Sequence, residues 1–191
     1  MEEKMKYESI DLEKKAAYTI AELMSLAAKT APKGCGADNI VTLALDGKEK
    51  DALTEEMRKI AKATGADFFE RDAGNVDESH VLVLVGVKDV PIGLNCGLCG
   101  FGDCAGLQKA GGRCAFNITD LGIAVGSAVS IAADHRIDNR VMFSAGKAAF
   151  NLKFFGENVK ICYGIPLSSG SKSIFFDRDS VSILARQKEK E

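Results

Sequence analysis

Five consecutive apolar residues, Val81-Leu82-Val83-Leu84-Val85, constrain this chain more than any other segment. A strand that is apolar on both faces must be covered on both, so it belongs in the middle of a sheet with a packed layer on each side. The sequence supplies helices for those layers. From about Asp11 to Lys29, the residues Leu12, Ala16, Ile20, Leu23, Met24 and Ala27 recur at helical spacing. Thr30-Ala31-Pro32 ends that run, because the residue before a proline leaves the helical region. Asp51 to Thr64 repeats the pattern with Leu53, Met57, Ile60 and Ala61, and Gly65 stands where a C-terminal cap is wanted. Asn117 to Asp134 reads as a third helix of small and apolar residues. Gly122 and Gly126 inside it each cost about 1 kcal/mol relative to alanine, so close packing is expected to offset them and this helix to be largely buried. Ile40–Leu45 and Val159–Ile165, the latter ended by Pro166, read as strands. Val141–Phe143 and Ser173–Phe176 read as shorter ones, Gly146–Phe155 as a helix, and the tail Arg186–Glu191 as frayed. The expected architecture is α+β: a single domain over residues 1–191, with a small mixed β-sheet flanked by helices.

Charge narrows the function classes. The 191 residues carry 25 basic and 27 acidic side chains, a formal net charge of -2. A nucleic-acid partner would call for a basic excess or stripe, so none is expected. No window approaches the ~20 consecutive apolar residues of a membrane span, and the amino terminus MEEKMKYESIDLEKK lacks the apolar core of a signal peptide. The chain is read as cytoplasmic, with no membrane partner.

In a reducing compartment the six cysteines are unlike a disulfide framework, which turns attention to metal or redox chemistry. Cys96, Cys99, Cys104 and Cys114 fall within one 19-residue window at C-x2-C-x4-C-x9-C spacing. Two cysteines separated by two residues can turn both sulfurs toward one centre, and the glycine after each frees the backbone to make that turn. Such turns also aim N–H groups at the sulfurs. Four thiolates fit an iron–sulfur cluster and equally an all-cysteine zinc site. Only one C-x2-C pair is present and both histidines lie outside the window, which leans the reading toward iron–sulfur. The fourth ligand is expected to be Cys114 rather than the glycine-flanked Cys35. A local loop closes with less entropy loss than a contact across more than sixty residues, and Cys114 opens the segment leading into the long helix, near its positive end.

Other candidates read as structural. Cys162 lies in the apolar run VKICYGI and is expected in the core. Gly146-Lys147 and Ser171-Lys172 lack the context of a phosphate loop. Asp134, His135, Asp138 and Arg140 are expected to form a helix-end ion-pair network. No catalytic constellation is legible.

Several longer segments carry a resemblance: AAKTAPKGCGADNIVT at 27–42, FFERDAGNV at 68–76, GLNCGLCGFGDC at 93–104, CAFNITDLGIAVGSAV at 114–129, IDNRVMFSAGKAA at 137–149 and GIPLSSGSKSIFFDR at 164–178. Through them the chain resembles the uncharacterised ferredoxin-domain-containing proteins of anaerobic prokaryotes. The resemblance implies a 4Fe-4S cluster on Cys96, Cys99, Cys104 and Cys114, held in a cluster loop at residues 91–116. A more distant likeness in fold, from the helix ending in AA-x-TAPKG to the late glycine-bearing helix and the GIP strand end, is to the flavin-dependent nitroreductases. Those are α+β homodimers that bind FMN at the subunit interface. Their early arginine–serine–arginine phosphate grip has no counterpart, Lys29-Thr30 being the nearest basic pair. Three functions follow as expectations: electron transfer by a 4Fe-4S redox protein, an FMN-dependent oxidoreductase fed by the cluster, or a structural zinc-binding interaction module. A homodimer is expected, with a redox partner protein or a small-molecule acceptor.

Overall fold

The structure is a computed structural model and describes residues 6–176. Strand β1 (Ile40–Leu45), β2 (Val81–Lys88), β3 (Asp138–Asn139) and β4 (Val159–Ser168) form one sheet in the order β1-β2-β4-β3. The apolar run lies at its centre, with every residue from Val81 to Val87 buried. Side chains alternate between faces along a strand, and the sequence uses this to serve two layers. Val81, Val83, Val85 and Val87 meet helices α1 (Ser9–Thr30) and α5 (Ala115–Asp134). Leu82 and Leu84 face the opposite layer of α2 (Gly47–Thr64), α3 (Phe68–Asp77) and α6 (Phe143–Asn151). The fold is α+β, as expected.

Every strand pairing is antiparallel, so the sheet is not mixed in direction. For β1 and β2 the cause is α3, which periodicity did not flag. A single-helix crossover returns the chain parallel to its start, whereas two helices between β1 and β2 reverse it once more.

Three further segments depart from expectation. Strand β4 runs through Pro166 instead of ending there. Asp138↔Ser168, Asn139↔Leu167 and the isolated bridge Met142↔Gly164 share one register, broken at Pro166, which has no N–H to give. That break reduces the strand expected at Val141–Phe143 to a single bridge, and α6 starts directly after it. Ser173–Phe176 is a turn in which Ser173 Oγ accepts the N–H groups of Phe175 and Phe176 at 3.2 and 3.1 Å. The tail from Arg186 lies outside the described residues.

Helix α5 also differs. Its inner face is buried on the sheet through Leu121, Ala124, Val125, Ala128 and Ala132. Its outer face exposes Ile118, Gly122, Ile123 and Gly126, and a Cβ added at either glycine would meet nothing within 4 Å. Packing inside one chain therefore does not explain the two glycines. By length and composition alone this helix could cross a membrane, but it buries Asn117 and Asp120 and packs as a core helix.

Candidate metal centre

Between β2 and α5 the chain leaves the sheet and returns to it, and the four clustered cysteines lie on this excursion. Gly97 and Gly100, each following a cysteine, take φ of 72° and 83°, left-handed values that glycine adopts without steric cost. Asn95, itself at φ 50°, reaches forward so that its Oδ1 accepts the Cys104 N–H at 2.9 Å. Asp103 caps the short helix α4 (Cys104–Lys109), accepting the Gly106 N–H at 2.6 Å. A small core lies under the loop. Leu107 is buried, and a Cβ on Gly112 would stand 2.5 Å from Leu107 and 2.9 Å from Phe101, so only glycine lets the chain close over them.

The return leg is fastened at both ends. Arg113 Nη1 donates to the carbonyls of Gly111 and Gly112 at 2.8 and 3.0 Å and pairs with Asp89 at 3.2 Å. Asn117 Nδ2 donates to the carbonyls of Val90 and Lys88 at 2.8 and 3.2 Å, while Asn39 Nδ2 donates to Val90 and to Asn117 Oδ1.

Cys96, Cys99, Cys104 and Cys114 all line one small concavity, together with Ile92, Leu94 and Leu107. Cys96 is exposed, Cys99 and Cys104 are half-buried, and Cys114 is 7% exposed at the N-cap position of α5, beside that helix's positive end. The donor set is four sulfurs, with apolar walls. Among the described residues, no three His, Cys, Asp or Glu side chains converge tightly enough to grip one metal ion. Four sulfurs lining one concavity are the donor set of a four-iron cluster, with one thiolate to each iron, and also of an all-cysteine zinc site. The residues present fit such a cluster.

The remaining thiols are elsewhere. Cys162 is buried under α6, where its thiol donates to the Gly146 carbonyl at 3.1 Å and burial pushes its pKa up to about 12. Cys35 is exposed at φ 54° in a tight turn. Asp120, 4% exposed, accepts the Gly34 N–H on both oxygens at 3.0 and 3.1 Å and pins that turn to α5. A Cβ on Gly34 would lie 2.8 Å from Phe116 and 3.3 Å from Ile92, so the turn backs onto a wall of the cysteine concavity without lining it. Among the described residues no ion pair joins Asp134, His135, Asp138 and Arg140, and Arg140 donates to the Phe175 carbonyl. Sequence reasoning missed Asn95, Asp103, Asn117 and Asp120. Of these, only Asp103 carried a local signal, an N-cap residue three positions before a glycine.

A family model for an "uncharacterized protein containing a ferredoxin domain" (DUF2148) matches residues 110–178, a span that holds Cys114 but not the other three clustered cysteines. A protein of Archaeoglobus fulgidus is 40% identical over 167 residues, covering 83% of this chain and 89% of its own length. Among solved structures, a nitroreductase with bound FMN from Desulfitobacterium hafniense superposes with a TM-score of 0.57 at 14% identity, over 81% of this chain and 79% of that one. A BluB-like flavoprotein from Clostridium difficile gives 0.51 at 16% identity, over 95% and 90%. The chain spans 58% of the length of NfrA2 from B. megaterium, at a TM-score of 0.51 and 12% identity over 81% of this chain. At these identities the structural likenesses show the fold, which is nitroreductase-like. The extended identity to the archaeal protein and the matched model together place the chain in the family of proteins containing a ferredoxin domain.

Proposed function

We propose that the protein is an iron–sulfur redox protein that transfers electrons through a 4Fe-4S cluster held by Cys96, Cys99, Cys104 and Cys114. The observation that carries this is the convergence of these four cysteines on one apolar-walled concavity, with the last at the start of α5. A cluster supplies one-electron chemistry and needs no side-chain acid or base. The chain's own residues hold the thiolates in place: Asn95 and Asp103 set the turn before Cys104, and the Asp89–Arg113 pair and Asn117 fix the return to Cys114. Protein purified without oxygen should be brown, contain about four irons per chain, and show a broad band near ~400 nm that dithionite bleaches. Colourless protein with stoichiometric zinc would favour the structural zinc module and overturn the proposal.

The nitroreductase-like fold favours a second reading, an oxidoreductase in which the cluster feeds FMN. Yellow protein that releases FMN on denaturation would support it. We further propose a homodimer that buries the outer face of α5, where Ile118, Gly122, Ile123 and Gly126 form an exposed uncharged strip, and a cytoplasmic setting.

A further inference from the structure

We infer that the concavity between α6 and the first half of β4 is a binding site for a small planar aromatic anion. Strand β3 pairs with only the last two residues of β4, and Met142 bridges Gly164. Beyond that point the outer edge has no partner strand among the described residues. Gly164 exchanges both its backbone hydrogen bonds with Met142, at 2.7 and 3.0 Å. Alternate residues of a strand point the same way, so the backbone groups of Cys162 also face outward, toward α6, and a register shift then leaves Lys160 as the unpaired residue of an irregularity.

A concavity of about 400 Å³ straddles this edge, lined by Phe143, Lys147, Phe150, Lys160, Ile161 and Tyr163 among others. Phe143 and Phe150 remain 58% and 37% exposed. Two ammonium groups gather at one ring, with Lys147 Nζ 5.1 Å and Lys160 Nζ 5.8 Å from the Phe150 centroid. Among the described residues neither lysine forms an ion pair. Two ammonium groups beside two exposed aromatic rings, with Glu157 close enough to Lys160 to feel its charge, favour a ligand that stacks and carries negative charge.

The same geometry disfavours an added strand. Gly146 of α6 rides directly on the Cys162 carbonyl, so closely that a Cβ there would overlap the oxygen. The helix thus occupies the space a pairing strand would need, leaving room for a flat molecule at its flank. Lys160 and Ile161 also wall the adjoining crevice that contains Cys114 and Arg113, so a bound ring would sit next to the cysteine loop. The inference does not depend on what that loop carries.

The test is titration of the full-length protein with 2-naphthoate, followed by the NMR shifts of its backbone amides, with neutral 2-naphthamide as control. Saturable binding at roughly millimolar concentration is expected, with the shifted amides centred on α6 and β4. Replacing both Lys147 and Lys160 by Gln should weaken it about tenfold or more, and Phe150→Leu should weaken it several-fold. The amide should bind several-fold more weakly than the acid. Absence of saturable binding, equal binding of acid and amide, or affinity unchanged in the double lysine variant would each overturn the inference. Lys147 is exposed, so Lys147→Gln alone gives the electrostatic comparison on a scaffold that folds. Iron content measured on the same samples reports separately on the cluster.

Discussion

Cys114 and Cys35 differ in a way that substitution can read. Cys114 lines the concavity with Cys96, Cys99 and Cys104, while Cys35 turns outward behind its wall. Cys114→Ser should therefore lose iron about as completely as Cys99→Ser, and Cys35→Ser should retain it, by metal analysis of protein prepared without oxygen. Loss in the Cys35 variant with retention in Cys114→Ser would reverse the assignment. Cys162 answers a different question. Burial holds its thiol pKa near about 12 against an ordinary 9.0, so the folded chain keeps the proton where the unfolded chain releases it. The sign follows: this stabilisation is complete below about pH 9 and is lost as pH rises toward about 12. Urea midpoints of wild type and Cys162→Ala, compared at about pH 8 and about pH 10.5, should show a smaller alkaline decline in the variant. A decline equal in both proteins would mean the thiol contributes nothing to it.

Glycines of opposite meaning separate the helices. Gly146→Ala drives a methyl group into the Cys162 carbonyl and should destabilise the protein by about 2–4 kcal/mol. Gly122→Ala and Gly126→Ala meet open space in the single chain. In a monomer each should stabilise by about 0.5–1 kcal/mol through helix propensity alone. Thermal melts of the three variants distinguish these cases. Removing the α4 cap with Asp103→Ala should cost about 1 kcal/mol locally, read as faster amide exchange over residues 104–109. The helices and strands with clean periodicity were legible beforehand: α1, α2, β1, β2 and most of α5 follow from where apolar residues repeat. Helix α3 was not, because FFERDAGNVD places only Phe69, Ala73 and Val76, with the charged Asp72, against its neighbours. Asp72 is held in its buried place by the adjacent Arg71 guanidinium at 2.7 and 3.0 Å and by accepting the Ser144 hydroxyl at 2.6 Å, the latter a contact between residues 72 positions apart that no local pattern announces. That Cys96, Cys99, Cys104 and Cys114 gather at one concavity was legible from spacing. The residues that hold it were not, since Asn117 and Asp120 act across 27 and 86 positions on backbone groups of other segments.

At the scale of the whole molecule, the exposed strip on α5 carries the dimer proposal. Sedimentation equilibrium should give twice the chain mass, and Gly122→Leu should shift the protein toward the monomer while leaving its far-ultraviolet spectrum unchanged. A wild-type monomer at micromolar concentration would rule out a dimer through this face. The two hydrophobic cores that cover the sheet contain no residue between Val87 and Leu121. The cysteine loop packs Phe101 and Leu107 against Gly112, and its ends are drawn together where the Asn117 side chain reaches the Val90 carbonyl. Replacing residues 91–113 by a short glycine–serine turn should therefore leave the thermal midpoint near that of the iron-free parent. This arrangement works like a socket set in a finished wall. With the proposed cluster in that socket, oxygen that strips the metal would damage an inset and leave the building standing, so a spent chain would be recharged in place, without the unfolding and chaperone traffic that discarding it would demand.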